Sequence, residues 1–353
     1  MNAQIKKSFS GLVAFEHKSS LNLMKVYGIS VGNGLICTMT KRDHLLEQLD
    51  QKYQSIGQNT DTHLSGLLHS RPITYWDYIM TDALLNLQIT RTNQPDELVF
   101  IMYHQINELL FKMILSEIQQ VAFKEDLSPE FFAERLERIS RYFDMLSSSF
   151  SIMQKGMEVE QYLKFRDTLT PASGFQSAQY RMVEFASTEL INLIDNRFRK
   201  TINRDTPFKH AYDHLYWQAA GKNHETGEKS TLLQLFEKRY LDDFIVFMQT
   251  YNTRNLWSTY KALPVSTQND LTLKNAMRHY DHTVNVRWVM AHYHAAERYL
   301  EYGGKSAEAT GGSVWKKYMH PKTQRRIFFP DLWSAEELEN WGITNLDGYE
   351  KLI

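Results

Sequence analysis

The chain has 353 residues and is 42% hydrophobic, enough to build a substantial core and too apolar for a disordered chain. Its 40 Lys+Arg balance 41 Asp+Glu, so no global field draws it to nucleic acid or to an anionic membrane. One cysteine, Cys37, excludes an internal disulfide and a cysteine-rich zinc site, and points to a reduced, cytoplasmic setting.

The first residues lack the long apolar centre of a signal peptide, and no stretch reads as the ~18 apolar residues of a membrane span. Residues 1–70 form an appendage to the rest. Val26–Val31 and Leu35–Thr40 flank Gly32-Asn33-Gly34, the pattern of a β-hairpin. Lys41–Ile56 then reads as an amphipathic helix and Gly57–Arg71 as a polar connector.

From Thr74 the signals are helical almost throughout, so residues 71–353 read as one all-α domain. Thr74 caps a helix running to Gln88. Pro95 with Asp96 and Glu97 starts a long helix, by proline and acids in the first turn. Pro129 starts a third, reaching about Met153. Thr170–Gly174 breaks helix by proline, serine and glycine together. Gln176–Lys200, Pro207–Ala220, Ser230–Thr250, Leu271–Tyr302 and a short Ser334–Trp341 complete the predicted helices.

Several side chains invite chemistry. His292 lies on a face with Trp288, Val289, Ala295 and Ala296, where small neighbours let a flat ligand approach. Phe100 and His104 lie one turn apart, with Glu108 and Phe111 continuing their face. Arg166 precedes Pro171-Ala172-Ser173-Gly174, and arginine holds carboxylates bidentately. In Ala309–Ser313, glycines permit close backbone approach and Thr310 offers a hydroxyl. Each of these, taken alone, reads more readily as a core histidine, a surface arginine or an ordinary loop. The pairs His210/His214 and His279/His282 have metal-binding spacing, but no Glu-x-x-His or HExxH accompanies them. No GxGxxG, P-loop or CxxC occurs.

The order of these signals carries more than any one of them. Over roughly residues 73–333 the chain resembles the haem-dependent tryptophan 2,3-dioxygenase family. Tyr75-x-x-Tyr78 through Asp82, Leu84-Leu85-Asn86 and Gln88 looks like the family's YxxYL…LDxLLNxQ opening. Phe100-x-x-x-His104-Gln105-x-x-Glu108-Leu109-x-Phe111-Lys112 is similar to its FxxxHQxxELxFK helix. Phe165-Arg166 through Pro171–Ser177, Gln179 and Arg181 resembles FRxxLxPASGFQSxQFR, the most specific of the likenesses. Trp288-x-x-x-His292 with Glu297-Arg298, Thr310–Ser313 and Phe329–Trp333 are similar to its WxxxHxxxxER, TGGS and FPELW segments.

The resemblance implies a helical-bundle haem domain of the tryptophan/indoleamine dioxygenase type, binding haem b. His292 would be the proximal ligand of the haem iron and Trp288 would pack beside it. His104 would accept the indole N–H, Phe100 would pack on the ring, and Arg166 and Thr310 would hold the amino acid's charged end. Ser173 and Gly174 would line the distal pocket. Tyr75 and Tyr78 would enter a neighbouring subunit's site in a homotetramer or homodimer. The implied reaction inserts O2 across the indole 2,3-bond of L-tryptophan, or of a close indole amino acid, giving N-formylkynurenine. Mono-oxygenation of a modified tryptophan or another aromatic amine, and a non-catalytic haem-binding or sensing role, stand as alternatives. The chain departs from the family in about four extra residues around Tyr302–Ser306 and in Val314-Trp315 after the TGGS segment.

Overall fold

The computed structural model describes residues 39–166, 169, 175–223, 226–302 and 320–343, with side chains to 297 in the last long helix. The hairpin expected at 26–40, Ser173, Gly174 and Thr310 lie outside the described residues, except for the hairpin's last two positions. The chain divides into two compact units, Met1–Thr81 and Asp82–Ile353.

In the smaller unit, α1 (Lys41–Gln54) starts at a capping box in which Thr40 and Asp43 bond each other's backbone. α2 (Thr60–His69) is capped by Asn59. α3 (Tyr75–Tyr78) begins at Thr74, as expected, but ends within one turn. Met80 takes the left-handed conformation at φ 52°, which an α-helix cannot contain, so the helix expected to reach Gln88 is cut there.

The larger unit is built around α5 (Pro129–Lys155). Ser128 caps it by accepting from Phe131 N–H, and Pro129 occupies the first turn, where its missing N–H costs nothing. Phe132, Leu136, Ile139, Phe143 and Leu146 recur every three or four residues and are fully buried. That stripe packs against α4 (Asp96–Ala122), α10 (Leu271–His282) and α11 (Trp288–Tyr302), while α4 also packs on α7 (Ala178–Ser187). The remaining labelled helices are α6 (Val159–Arg166), α8 (Thr231–Tyr251) and α9 (Leu256–Ala262). Among the described residues there is no strand, only the isolated bridges Ile194–Leu215 and Lys222–Lys229.

α4 presents three faces. Tyr103, Leu110, Phe111, Ile114, Ile118 and Val121 enter the core. Phe100, Ile101, His104 and Glu108 line a cavity. Leu98, Met102, Ile106, Leu109 and Met113 form an exposed apolar stripe at helical spacing. With apolar residues on more than one face, α4 is long and apolar enough by composition to cross a membrane, contrary to the expectation that no stretch is. It carries buried Glu97 and Glu117, and it packs as a bundle helix.

Two further expected helices differ from what their periodicity suggests, one cut short and one carrying an inserted turn. Gln176–Lys200 is helical only as α7, followed by a 3-10 turn at Leu190–Leu193. Thr188 turns extended, and its hydroxyl donates to Phe328 O at 2.5 Å, a tertiary bond that outweighs local propensity. Leu271–Tyr302 is one continuous rod, but it contains a π turn, Thr283–Arg287, between α10 and α11.

Candidate functional site

A second, smaller apolar cluster lies beside the main core. It joins Tyr103 of α4, Phe150 and Met153 of α5, Phe165 of α6 and Ala295 of α11, with Phe100, Tyr162, Trp288 and Ala291 packed on it. The two histidines singled out in the sequence flank this cluster. The helices supply them from opposite ends of the chain.

On the α4 side, Phe100 and His104 pack ring to ring with centroids 4.1 Å apart. His104 Nδ1 lies 2.8 Å from Phe100 O. A carbonyl only accepts, so Nδ1 carries the proton and Nε2 is left with its lone pair. His104 is thus set up as an acceptor. It stands exposed on a cavity wall, yet protein crowds it closely enough that burial lowers its pKa, against opposing pulls from the Phe100 carbonyl and Glu108. The cavity has a volume of 520 Å³ and is also lined by Arg91, Glu97, Phe165 and Gln179.

Two details of that wall were not singled out in the sequence. Glu97 accepts from Arg91 N–H, Thr92 N–H and the Thr92 hydroxyl at 2.9, 2.7 and 2.6 Å, which fixes the turn leading into α4. Gln179 Nε2 donates to Glu108 Oε2 at 2.9 Å and to its carbonyl at 2.8 Å, tying α7 to the cavity face of α4. Gln179 stood in the most specific motif without a role, and this bond supplies one.

Arg166 ends α6, one turn after Tyr162, to which it hydrogen-bonds. Phe165 between them is fully buried and meets Phe100 edge to face at 5.4 Å. α6 thereby brings Phe165 and Tyr162 to the same cluster as Phe100, with Arg166 bonded to Tyr162 and not itself among the residues lining the cavity. Tyr75 and Tyr78 lie on α3 of the smaller unit, with exposures of 74% and 76%.

On the α11 side, His292 is half-buried. Its ring stacks on Phe150 at 5.2 Å and 12°, and Trp288 stands 6.0 Å away. Phe150 in turn contacts Tyr103, which meets His104 edge-on at 5.2 Å. Phe150 had no signal in the sequence beyond helical periodicity. Burial, and then the charge that His104 would carry if protonated, push the His292 pKa down to about 4. Its imidazole is therefore neutral near pH 7, with a lone pair available to a metal. Neither ring nitrogen hydrogen-bonds to a described residue. The Trp288 indole N–H is likewise buried without a partner among the described residues. A neutral imidazole among aromatic rings, beside an unsatisfied N–H, fits a planar iron porphyrin; His292 is the residue here that could hold its iron. His214 Nδ1 is 2.9 Å from the His210 backbone carbonyl, and no group of three or more candidate metal ligands forms among the described residues.

Known proteins place the chain by its sequence. The family model described as tryptophan 2,3-dioxygenase matches residues 61–261. A tryptophan 2,3-dioxygenase of Bacillus thuringiensis subsp. konkukian (strain 97-27) is 28% identical over 276 residues, 74% of this chain and 91% of that protein. Those of Ruegeria sp. (strain TM1040) and Bradyrhizobium sp. (strain BTAi1 / ATCC BAA-1182) are 39% and 40% identical, over 32% of this chain and only 40% of their own length. These matches define the class: a haem-dependent oxidoreductase. The chain belongs to the tryptophan 2,3-dioxygenase family. Phe100, His104 and Arg166 fall inside the family match, whereas Trp288, His292 and Thr310 fall beyond its last residue.

Proposed function

We propose that the protein is a haem b dioxygenase that adds O2 across the indole 2,3-bond of L-tryptophan, or of a close indole amino acid, giving N-formylkynurenine. The observation that supports this reading is the Nδ1 bond of His104, a residue that lines the cavity, which leaves Nε2 as an acceptor for an indole N–H. Haem, when bound, supplies the oxygen chemistry. His292 would hold its iron, with Trp288 packed beside it.

The rest of the work is binding and orientation. Phe100 packs on the indole ring while His104 accepts its N–H. That bond orients the ring; it need not remove the proton, because indole N–H is a very weak acid. Arg166 takes the carboxylate, steadied by Tyr162. Thr310 contributes to the same end of the amino acid, and Ser173 and Gly174 to the distal wall. The exposed α4 stripe from Leu98 to Met113 supports a homo-oligomer, dimer or tetramer, since such a stripe is costly to leave in water. Tyr75 and Tyr78 would reach a neighbouring subunit's site in that assembly. A cytoplasmic location accompanies the reading.

The test is turnover of L-tryptophan in air by haem-loaded protein. A product carrying two added oxygen atoms supports the proposal. One added oxygen points instead to mono-oxygenation of an aromatic amine, and no turnover of any aromatic substrate points to a haem-binding or sensing role.

Arg166→Ala should raise KM roughly 10- to 150-fold, the equivalent of ~1.5–3 kcal/mol for a charged hydrogen-bonded contact. Steady-state kinetics check it. Acid should remove activity through His104, because a protonated Nε2 donates and can no longer accept. Its pKa is lowered by burial, so the acid limb of kcat/KM should fall below the ordinary imidazole value of ~6.5. His292 gives stability the same sign. Between about pH 6.5 and its value of about 4 the unfolded chain binds a proton that the folded chain refuses, so stability drops as pH falls through that window.

A further inference from the structure

The helix that carries His292 is out of phase with the helix that leads into it. α10 buries Leu273, Ala276, Met277 and Tyr280, and the face continues to Val284. An unbroken α-helix would carry that face through Arg287 and centre it on Ala291. Arg287 is instead exposed and pairs with Asp144 at 3.1 Å. The inward face of α11 runs over Trp288, Val289, Ala291, His292 and Ala295, so His292 lies near its middle and Ala291 at its flank. The π turn at Thr283–Arg287, closed by Trp288 N–H on Thr283 O, accounts for the change. One extra residue in a turn rotates everything after it by about 100°.

The turn is gripped by buried polar groups. Asp281, fully buried, accepts from Phe328 N–H, Phe329 N–H and Trp333 Nε1–H at 2.9, 3.0 and 3.0 Å, and from Asn285 Nδ2 at 2.6 Å. Asn285, inside the turn, accepts in turn from Arg326 Nε. Arg326 also reaches Val284 O, and is anchored by Glu184 at 2.7 Å and by the Tyr216 hydroxyl. Val286 completes the grip by packing with Trp333 and Trp341. Arg326 and Trp333 flank Phe328 and Phe329 on one segment, so a single return of the chain holds the turn from beneath.

We propose that the π turn, clamped by Asp281, Asn285 and Arg326, is the device that centres the inward face of α11 on His292, with Ala291 at its flank, making these three positioning residues for the iron ligand. The role toward haem rests on the function proposed above; the register of α11 does not.

The experiment compares Asn285→Ala, which removes the clamp but keeps the extra residue, with deletion of Asn285, which removes both. Deleting one residue from a π turn leaves an ordinary α-helix with its flanks still in phase. In a Cys37→Ser background, Val289→Cys and His294→Cys report the register by thiol labelling of haem-free protein. Val289 is 5% exposed and the His294 side chain 57%, so position 294 labels faster in the parent. The order should reverse in Asn285→Ala and return in the deletion. The histidine-ligated haem spectrum should follow the same pattern, lost in Asn285→Ala and kept in the deletion, with His292→Ala defining the lost state. The parent order surviving in Asn285→Ala overturns the clamp. A deletion protein of parent helix content whose order is reversed or lost overturns the phase argument. Should Asn285→Ala not fold, the deletion decides alone: folded with the parent order it supports the proposal, and unfolded it refutes it. If the parent takes up no haem, the proposed function fails, while the labelling still decides the register.

Discussion

His292→Ala protein, supplied with haem, should lose the histidine-ligated absorption spectrum that the parent shows, with affinity falling by more than ~100-fold. That exceeds the 10–100-fold usual for removing an outer-shell partner because the bond to the metal itself is lost. His292 is suited to this role by its surroundings: half-buried, stacked on Phe150, and neutral because burial and the nearby His104 oppose its protonation. Free imidazole added to the variant should restore the spectrum by filling the space left behind. His104 also has a free Nε2, so the converse variant, His104→Ala, should keep the spectrum. Loss of ligation in His104→Ala and not in His292→Ala would reverse the two roles.

The second large effect is on stability. Glu184 is fully buried between two buried guanidinium groups, 2.9 Å from Arg181 and 2.7 Å from Arg326. Glu184→Ala would leave both cations without their shared counter-ion. Breaking a buried pair in this way costs about 3–5 kcal/mol, because a charge remains in a poorly solvating interior. The urea midpoint of haem-free protein should fall accordingly, with little change in slope. A control such as Arg141→Ala, whose partner Glu137 is exposed, should move it by less than about 1 kcal/mol. Equal effects from the two variants would contradict the assigned burial.

The sequence carried the elements whose reasons are local. The Ser128-Pro129 start and the stripe from Phe132 to Leu146 specify α5 without help from elsewhere. The motif Phe165–Arg181 and the Phe100–His104 pair announced the family and half of the site. What escaped depends on partners distant in the chain. α7 ends at Ser187, followed by Thr188, whose hydroxyl binds Phe328 O 140 residues later, and no periodicity encodes that. Phe150 looked like any core residue of α5 until α11 laid His292 upon it. The π turn did leave a trace. The inward face centred on Tyr280 and Val284 widens after the turn to include Val289 and His292, an offset that a continuous helical reading of Leu271–Tyr302 passes over.

The central claim is that one O2 molecule is delivered whole to an indole amino acid. Haem-loaded protein turning over L-tryptophan under a mixture of unlabelled O2 and fully labelled ¹⁸O2 tests it directly by product mass. Dioxygenation predicts N-formylkynurenine carrying either both labelled atoms or neither. A product holding a single oxygen from O2, or a scrambled pair from two different molecules, would contradict the account.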